Sequence, residues 1–184
     1  MLQARTSLVF APLLWLLSGP AMAVEILDEH FSVEGRDYAM GLEARLDAPP
    51  EAVWEHLTNY DHLNRYSAAI KLSREQWRDG NRVAVESVMG GCIAFFCKEV
   101  ARLERITEYR PHTIDAIIDP EHSDLREGRT LWRLHPDNGG TRLVIEAQMV
   151  PDFWVPPLLG RYLIKRDFIR GTTRLLEAIE AEAR

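Results

Sequence analysis

The sequence predicts an α+β domain in which a curved antiparallel β-sheet wraps one long C-terminal α-helix, with two short helices after the first strand. Three observations lead there. Segments between Arg36 and Val150 repeatedly alternate apolar and polar residues, the period of a half-buried strand. Turn-forming runs separate most of them: Asp79-Gly80-Asn81, Arg110-Pro111, Asp119-Pro120 and Pro136-Asp137-Asn138-Gly139-Gly140. After Pro156-Pro157 the apolar spacing lengthens to that of a helix.

In chain order, residues 1–23 come first, with Arg5, an apolar run from Leu8 to Leu17, a Ser-Gly-Pro break and Ala21-Met22-Ala23. This is the layout of a secretory signal peptide, and the apolar run is too short to span a bilayer. One domain over residues 24–184 is expected, secreted through that signal and periplasmic if the source is a Gram-negative bacterium. A strand over Arg36–Leu46 carries Tyr38, Met40, Leu42 and Ala44 on one side. Pro49-Pro50 stops it and opens a helix at about Glu51–Thr58, because a proline in the first turn lacks only an N–H that has no helical partner. A second short helical piece comes next, at Asp61 to Tyr66. Further strands are expected at about Ile70–Trp77, Arg82–Met89, Phe96–Ile106, Thr113–Asp119, Arg129–His135 and Thr141–Val150. Consecutive strands joined by tight turns form an antiparallel meander with one buried face. The final helix, with Leu158, Leu159, Tyr162, Leu163, Ile169, Leu176 and Ile179 in one stripe, is its natural cover.

The full chain holds 22 Lys+Arg against 28 Asp+Glu, a net charge of −6; without Arg5 it is one unit more negative. Acidic overall and with scattered basic residues, the chain is not expected to bind nucleic acid, which needs clustered positive charge. Arg161, Lys165, Arg166 and Arg170 cluster, but they share a helix with acids and read as a solvated face. The six histidines show no i,i+4 pair and no Cys/His ligand spacing, so no metal site is expected. No G-x-S-x-G, G-x-G-x-x-G or P-loop motif occurs, and no cofactor is expected.

Three segments carry a family resemblance: APPEAVWEHLTNYDHLNRYSAAIKLS (Ala48–Ser73), DLREGRTLWRLHPDNGGTRLVIEAQM (Asp124–Met149) and PDFWVPPLLGRYLIKRDF (Pro151–Phe168). They resemble the polyketide cyclase/dehydrase family of the START-like (SRPBCC) superfamily, and are similar in this respect to coenzyme Q-binding and lipid-binding proteins. The resemblance implies a helix-grip fold and an apolar cavity between the sheet and the last helix. It names no ligand, since the superfamily binds lipids, sterols, quinones and polyketides and only some members catalyse.

Taking the more apolar side of each strand as inward lines that cavity with Tyr38 and Met40; Val85, Ser87 and Met89; Ile114, Ala116 and Ile118; Thr130 and Trp132; Ile145, Ala147 and Met149. Leu159, Tyr162 and Leu163 face them from the helix. None of these positions is a carboxylate, histidine or lysine, so no catalytic residue is assigned. The hydroxyls of Tyr38, Tyr162, Ser87 and Thr130 and the Trp132 N–H suit an oxygen on a greasy ligand, although each could equally fill core. Gly171 interrupts the helix stripe and suggests either a close approach or a kink. Strand Phe96–Ile106 is apolar on both faces and cannot be oriented. The preferred reading is a monomeric binding protein for a hydrophobic small molecule, with transient membrane-surface contact. The alternative is a cyclase, dehydrase or aromatase that holds a flexible substrate folded and polarises a carbonyl through tyrosine or serine hydroxyls, aided by an ionisable group of the unoriented strand such as Arg102 or Glu104.

The stretch GGCIAFFC holds both cysteines. In one straight strand Cys92 and Cys97 would lie about 16 Å apart on opposite faces, so a disulfide requires the chain to turn back there. Export favours that bridge; buried thiols and redox or metal work are the alternatives, the last without C-x-x-C spacing. Ile93, Phe95 and Phe96 would then form an apolar lip beside the cavity.

Overall fold

Glycines of positive φ, at Gly35, Gly80 and Gly139, sit in two-residue turns that fold the chain into successive hairpins. Asn138-Gly139 has both residues at positive φ, as the tightest hairpin turns require. The computed structural model describes residues 24–93, 96–156 and 160–184; the expected signal peptide, Leu159 and Phe95 fall outside them. The strands are β1 (Glu25–Glu34), β2 (Asp37–Leu46), β3 (Ile70–Asp79), β4 (Arg82–Ile93), β5 (Phe96–Tyr109), β6 (Thr113–Ile118), β7 (Leu125–Asp137) and β8 (Gly140–Pro151). They make one antiparallel eight-stranded sheet ordered β1-β2-β8-β7-β6-β5-β4-β3. Helix α1 (Pro50–Leu57) and a 3-10 helix (Tyr60–Arg65) come after β2, and α2 (Gly160–Ala183) comes after β8.

Two elements went unpredicted. Strand β1 was missed: as an edge strand exposed over most of its length, it lacks the alternation of a half-buried strand. The short helices therefore succeed the second strand, not the first. The other is a 3-10 turn at Pro120–His122, capped by the Asp119 side chain.

The sheet curls around α2. From the helix, Lys165 reaches Glu29 on edge strand β1 at 3.0 Å. A side chain added at Gly91 of β4, near the opposite edge, would lie 3.7 Å from the Asp167 carboxylate. The core fills the end nearest α1: Leu46, Leu134, Leu143, Leu176 and Ile179 are fully buried, with Trp54 of α1 among them. Polar groups close that end too. Thr141 Oγ1 donates to the Ala48 carbonyl at 2.6 Å, and buried Glu180 accepts from the Asp47 N–H at 2.9 Å. Gly140 is needed there, because a Cβ would stand 2.3 Å from the Leu46 carbonyl oxygen.

Candidate functional site

The register carries the strand residues predicted to line a cavity to one side of the sheet. Tyr38 lies opposite Met149, Met40 opposite Ala147, Thr130 opposite Ala147, Trp132 opposite Ile145, and Ile114 opposite Trp132. Val85, Ser87 and Met89 on β4, and Ala116 and Ile118 on β6, share that side. It is also the side of the core, which includes Val85, Ile114, Ala116 and Ile145. Leu163 of α2 is buried. Tyr162 is corrected: it is 63% exposed, because two residues past buried Gly160 the helix has turned about 200°.

Burial changes along this wall. Away from the sealed end, Met89, Thr130, Trp132 and Met149 remain only partly buried although they point the same way as the core. Gly171, one turn from Phe168 and Leu175 on α2, has nothing within 4 Å of where a Cβ would sit. No described protein atom therefore makes a close approach at Gly171, and α2 runs through it as one helix. Burial raises the Tyr38 hydroxyl pKa against an opposing effect of Arg36, so it is a neutral donor.

Strand β5 supplies what the sequence could not orient. Glu104 pairs with Ile118 and Val85, Arg102 with Ser87, and Ile106 with Ala116 and Val83. The even-numbered residues of β5 thus face inward, and the wall contains charge after all. Arg102 donates through Nε and Nη2 to Ser87 Oγ at 3.3 and 3.2 Å and stands 3.5 Å from Glu104 Oε2. Ser87 in turn lies opposite Ser73 of β3, so Ser73, Ser87 and Arg102 form a row across three strands. Ser73 is buried, and its hydroxyl has no hydrogen-bond partner among the described residues.

A second polar group lies toward the 3-10 helix. Buried Tyr60 donates to Glu108 Oε1 at 3.0 Å, and Arg78 bridges Glu108 at 2.9 Å and Glu75 at 2.8 Å. Burial, then the neighbouring Glu108 carboxylate, pushes the Tyr60 hydroxyl well above its ordinary pKa; bonds to Glu75 and Glu108 hold Arg78 more firmly charged. This group is saturated by its own partners, unlike the Ser73 row. His62 is exposed on the 3-10 helix.

Other features read as structure. Asp119, Glu121 and His122 lie close together. Arg105, bonded to Asp119 at 2.7 Å, holds that carboxyl below its usual pKa, and Asp119 also caps the turn it opens. On the convex face, an open hollow of about 240 Å³ lies beside His30, Arg129 and Glu146, where the His30 ring occupies the space above Gly41. The backbone register sets Cys92 directly opposite Cys97 in the β4–β5 hairpin, so the chain does turn back there. Directly opposed residues stand about 4.5–5.5 Å apart between Cα atoms, within disulfide reach.

Residues 41–181 match the family described as Polyketide cyclase / dehydrase and lipid transport. No curated protein matches the sequence. Among solved structures, TTHA0849 from Thermus thermophilus superposes with a TM-score of 0.67 at 20% identity, over 79% of this chain and 96% of that one. The Zhui aromatase/cyclase from Streptomyces sp. R1128 gives 0.63 at 16% identity, over 80% and 93%. The STAR-related lipid transfer protein from Xanthomonas axonopodis gives 0.62 at 12%, over 83% and 98%. At such identities these likenesses concern the fold.

Proposed function

Because the chain belongs to the polyketide cyclase/dehydrase and lipid-transport family, we propose that it is an exported protein that holds or carries a hydrophobic small molecule between the sheet and α2. A lipid, an isoprenoid quinone or a polyketide-like compound is the expected kind of ligand. The observation that carries this reading is the incomplete burial of Met89, Thr130, Trp132 and Met149, which point inward beside a fully packed core. An apolar space with a few polar groups is the usual form of a small-molecule site.

Export rests on the signal-like residues 1–23, and a Cys92–Cys97 bridge fits both an oxidising compartment and the observed register. Closing so short a loop contributes about 2 kcal/mol in the chain-entropy model. Trp154 and Tyr162, 68% and 63% exposed on either side of the start of α2, suit transient contact with a membrane surface. Native mass spectrometry of protein recovered from its own envelope tests the binding reading. A bound hydrophobic compound is expected; empty protein that also takes up no lipid and no fluorescent fatty probe would overturn it. Two titratable thiols in the oxidised mature protein would reject the bridge, and a mature N-terminus other than Val24 would reject the cleavage site.

The inward Arg102–Glu104 pair favours a second reading, a cyclase or dehydrase of polyketide-like substrates. Arg102 would polarise a carbonyl while Glu104 accepts a proton. Turnover of a poly-β-ketone mimic, lost in Arg102→Leu and Glu104→Gln, is the result that would establish it.

A further inference from the structure

We infer that the cavity's polar pole, formed by Ser73, Ser87, Arg102 and Glu104, recognises a hydroxyl on an uncharged amphiphile and discriminates against carboxylate, phosphate and ammonium heads. The inference rests on the reading that the chain binds a hydrophobic molecule between sheet and α2.

The first ground is the unpartnered Ser73 hydroxyl. It is buried on the inward side of β3 and bonds to no described residue. A buried hydroxyl without a partner is destabilising, and native proteins seldom leave one so. A ligand oxygen in line with the row would satisfy it.

The second ground is the geometry of the ion pair beside it. Arg102 lies 3.5 Å from Glu104, beyond the roughly 2.7–2.9 Å of a charge-assisted hydrogen bond. Its two bonds to Ser87 use Nε and one Nη, leaving other guanidinium N–H groups to donate. Glu104, only 12% exposed in its side chain, keeps acceptor capacity. A hydroxyl uses both partners, accepting from Arg102 or Ser73 and donating to Glu104, whereas a ketone or ether can only accept.

The third ground is charge. Arg102 and Glu104 balance, and the neighbouring group of Glu75, Arg78 and Glu108 has one excess negative charge. An anionic head would meet Glu104 in a partly desolvated setting, and an ammonium head would meet Arg102. A neutral head leaves the pair intact.

Calorimetric titration of the oxidised protein at pH 7 with two matched sets tests this: 1-dodecanol, dodecanoate, dodecylammonium and dodecyl methyl ether; and 2-naphthol, 2-naphthoate and 2-methoxynaphthalene. At least one alcohol or phenol is expected to bind tenfold or more tighter than its charged and methyl-ether counterparts. Ser73→Ala is expected to lose about tenfold in affinity for that hydroxyl compound. It should unfold no more easily than the parent, since it removes an unpartnered group. Arg102→Leu should abolish the preference among heads. Carboxylate binding as tight as the alcohol overturns the inference but leaves hydrophobic binding standing. Unchanged alcohol affinity in Ser73→Ala overturns the role of that hydroxyl. Failure of every compound in both sets overturns the binding reading and this inference with it.

Discussion

The two ends of the inner wall are built from the same strands and behave as different materials. At the α1 end, β2, β7 and β8 present Ala44, Leu46, Leu134 and Leu143 to Leu176 and Ile179, all with no residual exposure. Further along β8, Met149 is only partly buried, as are Thr130 and Trp132 of β7. The elements packed against each end make the difference. α1 and the C-terminal half of α2 fill the first end, whereas Met89, Thr130 and Met149 are not among the side chains that pack into that core. One end of the wall is therefore committed to stabilising the fold, and the other is left less tightly packed.

The largest effects should come from the sealed end. Trp54→Ala is expected to cost about 3–5 kcal/mol in urea unfolding, as large-to-small core changes do, whereas Met149→Ala should cost under about 2 kcal/mol. Equal losses would erase the distinction between the ends. Glu180→Ala comes next, at about 1–3 kcal/mol, because it removes a buried, charged acceptor from the partly buried Asp47 N–H bond; an unchanged urea midpoint would contradict that. Tyr60 then gives a pH-dependent contribution. Its folded pKa is raised, so the stabilisation is fully present below the unfolded value near 10 and is lost as pH rises above it. The alkaline limb of a stability–pH curve should be shallower in Tyr60→Phe than in the parent. The smallest effect is Gly171→Ala, which should raise stability by about 1 kcal/mol, since a helix interior favours alanine and no atom obstructs the added methyl.

The sealed end was the more legible in the sequence. Strict alternation oriented β2, β4, β6, β7 and β8, Pro49-Pro50 announced α1, and Asn138-Gly139 announced the last hairpin. The polar pole was not legible, for two separate reasons. Strand β5 has apolar residues on both faces because its outer side is partly covered. Half-buried Leu103 abuts the Pro120–His122 turn, its N–H donating to Ser123 Oγ at 2.9 Å and its carbonyl accepting from the Asp119 N–H at 2.8 Å. Strand β3 hides its inner face by breaking phase: Ile70, Ser73, Glu75 and Arg78 lie opposite the inward Met89, Ser87, Val85 and Val83. No fixed period of two connects those four positions. Tyr162 failed for another reason: the stripe was read through it, but two residues from buried Gly160 it lies on the outer side of the helix, beside buried Leu163.

The irregular phase of β3 arises from bulges between Ile70 and Leu72 and between Glu75 and Trp77, each adding one residue without a partner. Lys71 and Gln76 are those surplus residues. Insertions and deletions along this strand are therefore not equivalent. Losing Lys71 or Gln76 would straighten the ribbon and leave Ser73, Glu75 and Arg78 on the wall. Losing a residue between the bulges would reverse the facing of the remainder of the strand and exchange a hydroxyl-bearing wall for a different one, with hardly any change in composition. The chemistry of this inner face therefore depends on where β3 gains or loses a residue as much as on which side chains it carries.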